Sequence, residues 1–263
     1  MSILSDTDLI KVNYKKGKDE NVATIIIEPL MPGYGLTLGH ALRRILLSSL
    51  SGAAITSVKI NDVSHEFSTI KGVKEDVVDI ILNLKNIRFK MHSDEPVTIK
   101  LSKKGPGQVK AGDFDKNSSI EIINKDQLIA NLDKSGKIIC EAIVKKGTGY
   151  EPVEKRKDEK LPHGTIAVDS IFTPVKKIHY NVENTRVGGM TNYDKIILDI
   201  TTDGSITPEK AFYTANKILI EHFEKISNGE KEDKPKKEKS QKEDKIEKEK
   251  PKTKKMNKKS IKK

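Results

Sequence analysis

One cysteine in 263 residues leaves no partner for an internal disulfide, so the chain holds together without a covalent cross-link. That thiol, Cys140, sits in the apolar run KIICEAIV and reads as a core residue in a reduced, cytosolic setting. No run approaches the roughly 20 apolar residues of a membrane-spanning helix. The start, MSILSDTDLIKVNY, lacks the basic-then-apolar pattern of a secretion signal, and a soluble, untargeted protein is expected. Catalytic and metal-binding signatures are also missing. The histidines, His40, His65, His92, His163, His179 and His222, are scattered, with neither an H-E-x-x-H motif nor a Cys/His metal spacing. No Ser or Cys stands beside a plausible base. Asp113 and Asp115 in DFD have a spacing that magnesium sites use, but their Gly- and Lys-rich surroundings read as a solvated turn.

Charge is plentiful but unevenly placed. The last 36 residues, 228–263, contain 16 lysines against 8 acidic residues, so they hold +8 of the total +11 and leave +3 for the rest. That tail has almost no apolar residues with which to offset its ordering entropy, and disorder is expected there. A nearly balanced body disfavours a basic nucleic-acid-binding module.

Strand patterns open the chain: DLIKVNY and NVATIIIEP flank the turn KKGKDEN. Helical periodicity follows from Leu36 to Leu50, then a strand pattern in GAAITSVKIND. A second helix is expected over GVKEDVVDIILNLKN, with Val73, Val77, Ile80, Ile81 and Leu84 on one face. From Ile87 to about Ile200 the chain reads as short strands broken by Gly, Pro, Asn and Asp: IRFKM, VTIKL, IEIIN, LIANL, KIICEAIV, TIAVDSIF, KIHYNV and KIILDI. A last helix is announced by Thr207 as N-cap, Pro208 at the first position and Glu209 in the first turn, and Asn228-Gly229 stops it.

The segment GYGLTLGHALRRILLSSLSG, residues 33–52, supports two functional readings. A strand, glycines, a helix and a second strand imitate the start of a dinucleotide-binding unit in a nucleotide-binding α/β enzyme. Yet Gly33, Gly35 and Gly39 are spaced one residue too long for the fingerprint, Pro29 and Pro32 interrupt the turn, and no Walker A lysine follows. The other reading is a docking helix. At about 100° per residue, Leu38, Ala41, Leu42, Ile45, Leu46 and Ser49 form a stripe that needs burial. Leu47 falls on the opposite side among His40, Arg43 and Arg44, so an apolar residue projects from a basic face. Arginine suits an interface because its planar fork pairs carboxylates bidentately.

The run from Glu28 to Lys85, EPLMPGYGLTLGHALRRILLSSLSGAAITSVKINDVSHEFSTIKGVKEDVVDIILNLK, closely resembles the N-terminal region of bacterial RNA polymerase alpha subunits. GTGYEP, TIAVDSIFTPVKKIHYNVENTRVG and TNYDKIILDITTDGSITPEKA continue the likeness over roughly residues 1–227. The resemblance implies an α+β fold in which a dimerisation subdomain is built from residues 1–51 and 173–227, interrupted by a β-rich insert of residues 52–172. It implies a homodimer that recruits the β and β′ catalytic subunits for DNA-directed transcription. Leu38, Ala41, Leu42, Ile45, Leu46, Phe212, Leu219 and Phe223 are then the expected dimerisation residues. Arg44 and Leu47 are the expected β-subunit contacts, and Lys85 and Val168 the expected β′-subunit contacts. No cofactor is expected in this chain, since the catalytic magnesium of the family belongs to β′. The family's usual C-terminal DNA-binding domain is absent from this reading, and the lysine-rich tail offers at most weak DNA or RNA contact. The implied location is the cytoplasm, nucleoid-associated through the polymerase, with no membrane partner.

Overall fold

The computed structural model describes residues 9–156 and 161–229. The expected disordered tail lies, beyond Gly229, outside the described residues. Two hydrophobic cores are present, each under its own antiparallel sheet.

The first sheet has the order β1-β2-β14-β13, joining β1 (Lys11–Lys16) and β2 (Val22–Leu30) to β13 (Val175–Val187) and β14 (Met190–Thr202). Segments more than 140 residues apart in the chain are therefore hydrogen-bonded neighbours, with Ile25 opposite Leu198 and Ile27 opposite Ile196. Alternation explains the face they share, because Ile25, Ile27, Ile196, Leu198 and Ile200 point one way and are buried. Two helices cover that face: α1 (Tyr34–Ser48) packs on β13 and β14, and α3 (Pro208–Asn228) packs on α1, β2 and β14. As expected, α3 starts with Thr207 Oγ1 accepting from the Lys210 amide at 3.3 Å and Pro208 in the first turn, where its missing N–H costs nothing.

The second core lies under a sheet ordered β5-β9-β3-β4-β7, with β11 also on β3. Its strands are β3 (Ser51–Ile60), β4 (Phe89–Met91), β5 (Val97–Lys104), β7 (Ile120–Ile122), β9 (Lys137–Thr148) and β11 (Ile166–Ala167). In register, Leu101, Cys140 and Ile60 make one buried row, and Ile99, Ala142 and Val58 the next. Two short ribbons complete it, β6 (Gly107–Lys110) with β8 (Leu128–Leu132) and β10 (Tyr150–Glu151) with β12 (Ser170–Ile171). Strands β6 and β10 have no counterpart in the sequence reading: they are short, and glycines adjoin them.

Helix α2 (Val77–Lys85) is shorter than its periodicity suggested. The Asp76 carboxylate accepts from the Asp79 amide at 2.8 Å and starts the helix there. Val73 instead forms a bridge with Leu132, so it is apolar for a sheet-like contact rather than a helical one. Helix α1 is displaced by two residues from the expected 36–50, because Gly33, at φ 84°, turns the chain into it early.

Candidate functional site

The glycines of α1 have a packing role. The Gly35 amide donates to Asp194 Oδ2 at 2.8 Å, placing a buried carboxylate of β14 at the helix N-terminus, where the helix dipole favours an anion. A Cβ on Gly35 would come within 2.6 Å of Val182 Cγ1, and one on Gly39 within 2.7 Å of the Tyr180 ring. The two glycines thus let α1 lie directly on β13 and β14, and Asp194 fills the seat a phosphate would need. Strand β2 is antiparallel to both its neighbours, and β3 belongs to the other sheet, so β2, α1 and β3 do not form a parallel βαβ unit. The dinucleotide-binding reading is overturned.

On α1, Leu42 and Leu46 are buried in the chain's own core, while Leu38, Ala41 and Ile45 are half-buried at its edge. His40, Arg43 and Arg44 are exposed. Leu47 is a correction: it is half-buried and packs against the core instead of projecting from the basic face. The wheel assumed one covered face, whereas α1 is backed by the sheet and also flanked by α3, which widens the covered arc.

Helix α3 is used in two halves. Ala211, Phe212 and Ala215 are buried, and Phe212 meets the Tyr14 ring of β1 edge-to-face at 6.3 Å. Farther along, Leu219 is half-buried, and Ile220, Phe223 and Ile226 are exposed, the last two at 63% and 75%. Leu36 on α1 is also exposed. Leu36, Ile220 and Ile226 were not singled out in the sequence. Their signal was there: the i, i+3 spacing Ile220, Phe223, Ile226 continues an apolar stripe through a helix about 31 Å long.

A polar patch lies on the other core. Lys85, the last residue of α2, has its Nζ 3.6 Å from Asp169 Oδ2, so the structure brings Lys85 beside the 168–169 segment. Val168 itself is only 3% exposed, its amide donating to the Thr56 carbonyl, and its side chain belongs to the core. The Val168 side chain thus adds nothing to the surface here, which is formed by its neighbours. Asp169 Oδ1 accepts from the Val153 amide at 3.0 Å, and this bond, followed by Lys85, holds the carboxyl below its usual value. The Tyr150 hydroxyl is held above its usual value, by desolvation first and then by the nearby Asp169 carboxylate.

Burial pushes the Cys140 thiol up to about 12, which keeps it protonated near neutrality. Asp113 is engaged by Lys103 at 2.7 Å and by the Lys110 amide at 2.8 Å. Among the described residues, no three metal-ligand side chains converge and no helix is long and apolar enough to cross a membrane.

Residues 58–173 match the family described as the RNA polymerase Rpb3/RpoA insert domain. The DNA-directed RNA polymerase subunit alpha of Symbiobacterium thermophilum is 53% identical over 207 residues, 79% of this chain and 66% of that relative. The protein of the same name from Moorella thermoacetica is 53% identical over 205 residues, covering 78% and 66%. That of Alkaliphilus oremlandii is 52% identical over 197 residues, covering 75% and 62%. The chain spans just under two thirds of the length of these curated relatives.

Proposed function

Because the chain belongs to the family of bacterial RNA polymerase alpha subunits, we propose that it is an assembly scaffold, two copies of which pair and recruit the β and β′ subunits for transcription. The observation that carries this reading is the unpartnered apolar stripe of α3, Ile220, Phe223 and Ile226, beside half-buried Leu219 and, on α1, exposed Leu36. An apolar face of this kind on a folded body is what a two-fold pairing would cover. Residues 1–51 and 173–227 form the pairing unit and residues 52–172 the insert. Leu38, Ala41, Ile45, Leu219 and Phe223 line the pairing surface, joined by Leu36, Ile220 and Ile226. Leu42, Leu46 and Phe212 act beneath it, by holding the fold.

Exposed Arg44, with Leu47 beside it, receives the β subunit, and Lys85 with the 168–171 segment receives β′. The chain contributes no catalytic group: nucleotidyl transfer and its magnesium reside on β′, and DNA is met through the assembly, with weak, salt-sensitive phosphate contact from the lysine-rich tail. Work in the cytoplasm at the nucleoid follows from that role.

The test is co-purification of the full chain with its cognate β and β′ subunits, sized by mass after gel filtration, beside Arg44→Ala. A complex containing two alpha chains is expected, with Arg44→Ala still dimeric but weakened for β by about 2 kcal/mol. A monomer with no affinity for β would refute the scaffold.

A further inference from the structure

The patch around Lys85 is assembled from separate segments, and one largely covered side chain ties the 168–169 segment to β3. Arg156 follows β10 and is only 11% exposed in its side chain. Its Nη1 donates to the Thr56 carbonyl of β3 at 3.0 Å, and its Nη2 donates to the Val168 carbonyl. A single planar guanidinium therefore clamps the segment carrying Val168 and Asp169 onto the sheet. Ser170 Oγ adds a 2.9 Å bond to the Ile55 carbonyl on the same strand.

The clamp has a surface consequence. With residue 168 fixed, Asp169 sits between Val153, Tyr150 and Lys85, and Tyr150 pairs in register with Ile171 on the adjoining ribbon. Tyr150 and Ile171 are 57% and 40% exposed, so the ribbon presents an aromatic and an aliphatic side chain beside the ion pair.

Counting donors and acceptors identifies what is unfilled. Asp169 Oδ1 already accepts from the Val153 amide, and Oδ2 lies near the Lys85 ammonium. Lys85 has three donors, and its pairing with Asp169, at 3.6 Å, is long for a hydrogen bond. Spare capacity is on the donor side, which selects a carboxylate from the partner rather than a cation. We propose that Arg156 is the positioning residue for capture of the β′ subunit, setting Lys85 to receive a carboxylate of that subunit while Tyr150 and Ile171 take an apolar side chain. This inference rests on the scaffold reading.

The test is a double-mutant cycle on the full chain pre-assembled with β, measuring β′ affinity across a salt series for wild type, Arg156→Ala, Lys85→Gln and the pair. Each single variant is expected to weaken capture about tenfold and to flatten its salt dependence, with the pair no weaker than the worse single to within about a factor of two. The alpha dimer stays intact in all four. Independent losses that multiply to about a hundredfold would overturn the inference, since Arg156 would then act on stability and not through Lys85. Unchanged capture in Arg156→Ala would overturn it as well while leaving the scaffold standing, whereas wild type failing to bind β′ would remove both. Should Arg156→Ala not fold, Arg156→Lys, which keeps the charge without the fork, runs the same cycle.

Discussion

The two outward-facing regions differ in how they are built. The far half of α3 presents apolar side chains with little hydrogen bonding between them, whereas the Lys85–Asp169 patch is a polar network whose parts come from α2, β10, the 3-10 helix that starts at Val153 and the segment 168–171 that ends in β12. Apolar contact is non-directional and scales with area, so the helix tolerates small displacements but not a charge. The polar patch depends on geometry, so it tolerates surface changes but not loss of the group that aligns it. Under the scaffold proposal, the first kind of surface would pair with a second copy and the other would select a different chain.

That contrast can be broken most severely from beneath. Leu42→Asp places a carboxylate where a side chain is 3% exposed and should abolish folding, read as loss of a cooperative thermal transition. A folded monomer from this variant would return Leu42 to the pairing surface. Phe223→Asp, changing an exposed residue, should leave the thermal transition of the monomer nearly intact while weakening the dimer by several kcal/mol, because two-fold symmetry counts the loss twice. Sedimentation over a concentration series checks this, and an unaltered dimer would place the interface elsewhere. Gly35→Ala pushes a methyl toward Val182 and Asp194 and should cost about 1–3 kcal/mol by denaturant unfolding; a neutral outcome would show that α1 can shift away from the sheet.

The smallest effect belongs to the polar patch. The folded Asp169 carboxyl titrates below its ordinary value of 3.8, so its stabilising contribution is complete above that pH and is lost as pH falls through the lower folded value. Asp169→Asn should therefore narrow the stability gap from wild type in acid while leaving it widest near neutrality. A gap independent of pH would mean that the carboxylate charge is not what the Val153 amide and Lys85 hold.

Much of this was legible in the residues. The strands from Ile87 to Ile200, the cap at Thr207 and the stop at Gly229 follow from local chemistry, and the structure has them, although β9, β13 and β14 run to 12 or 13 residues where short strands were expected. The start of α2 was misread at Val73, since an apolar residue at helical spacing can equally serve a bridge. Leu47 was misplaced because a wheel describes one helix and not what flanks it. Among the expected partner contacts, Val168 turned inward while its neighbour Asp169 met Lys85, on a segment held by long-range bonds to Thr56, Ile55 and Arg156 that no local pattern announces.

Periodicity within a helix or strand is a local property, and so the sequence by itself determined which faces had to be covered: the α1 stripe, the α3 stripe and the alternating strands. What covers each face is a question of long-range pairing. Only the tertiary structure decided that β2 meets β14, that Asp194 closes the start of α1, and that the core claims Leu42, Leu46 and Phe212 while leaving Ile220, Phe223 and Ile226 outside. The physical reason is that burial rewards any apolar partner equally, so an amphipathic stripe states a need without naming the surface that meets it.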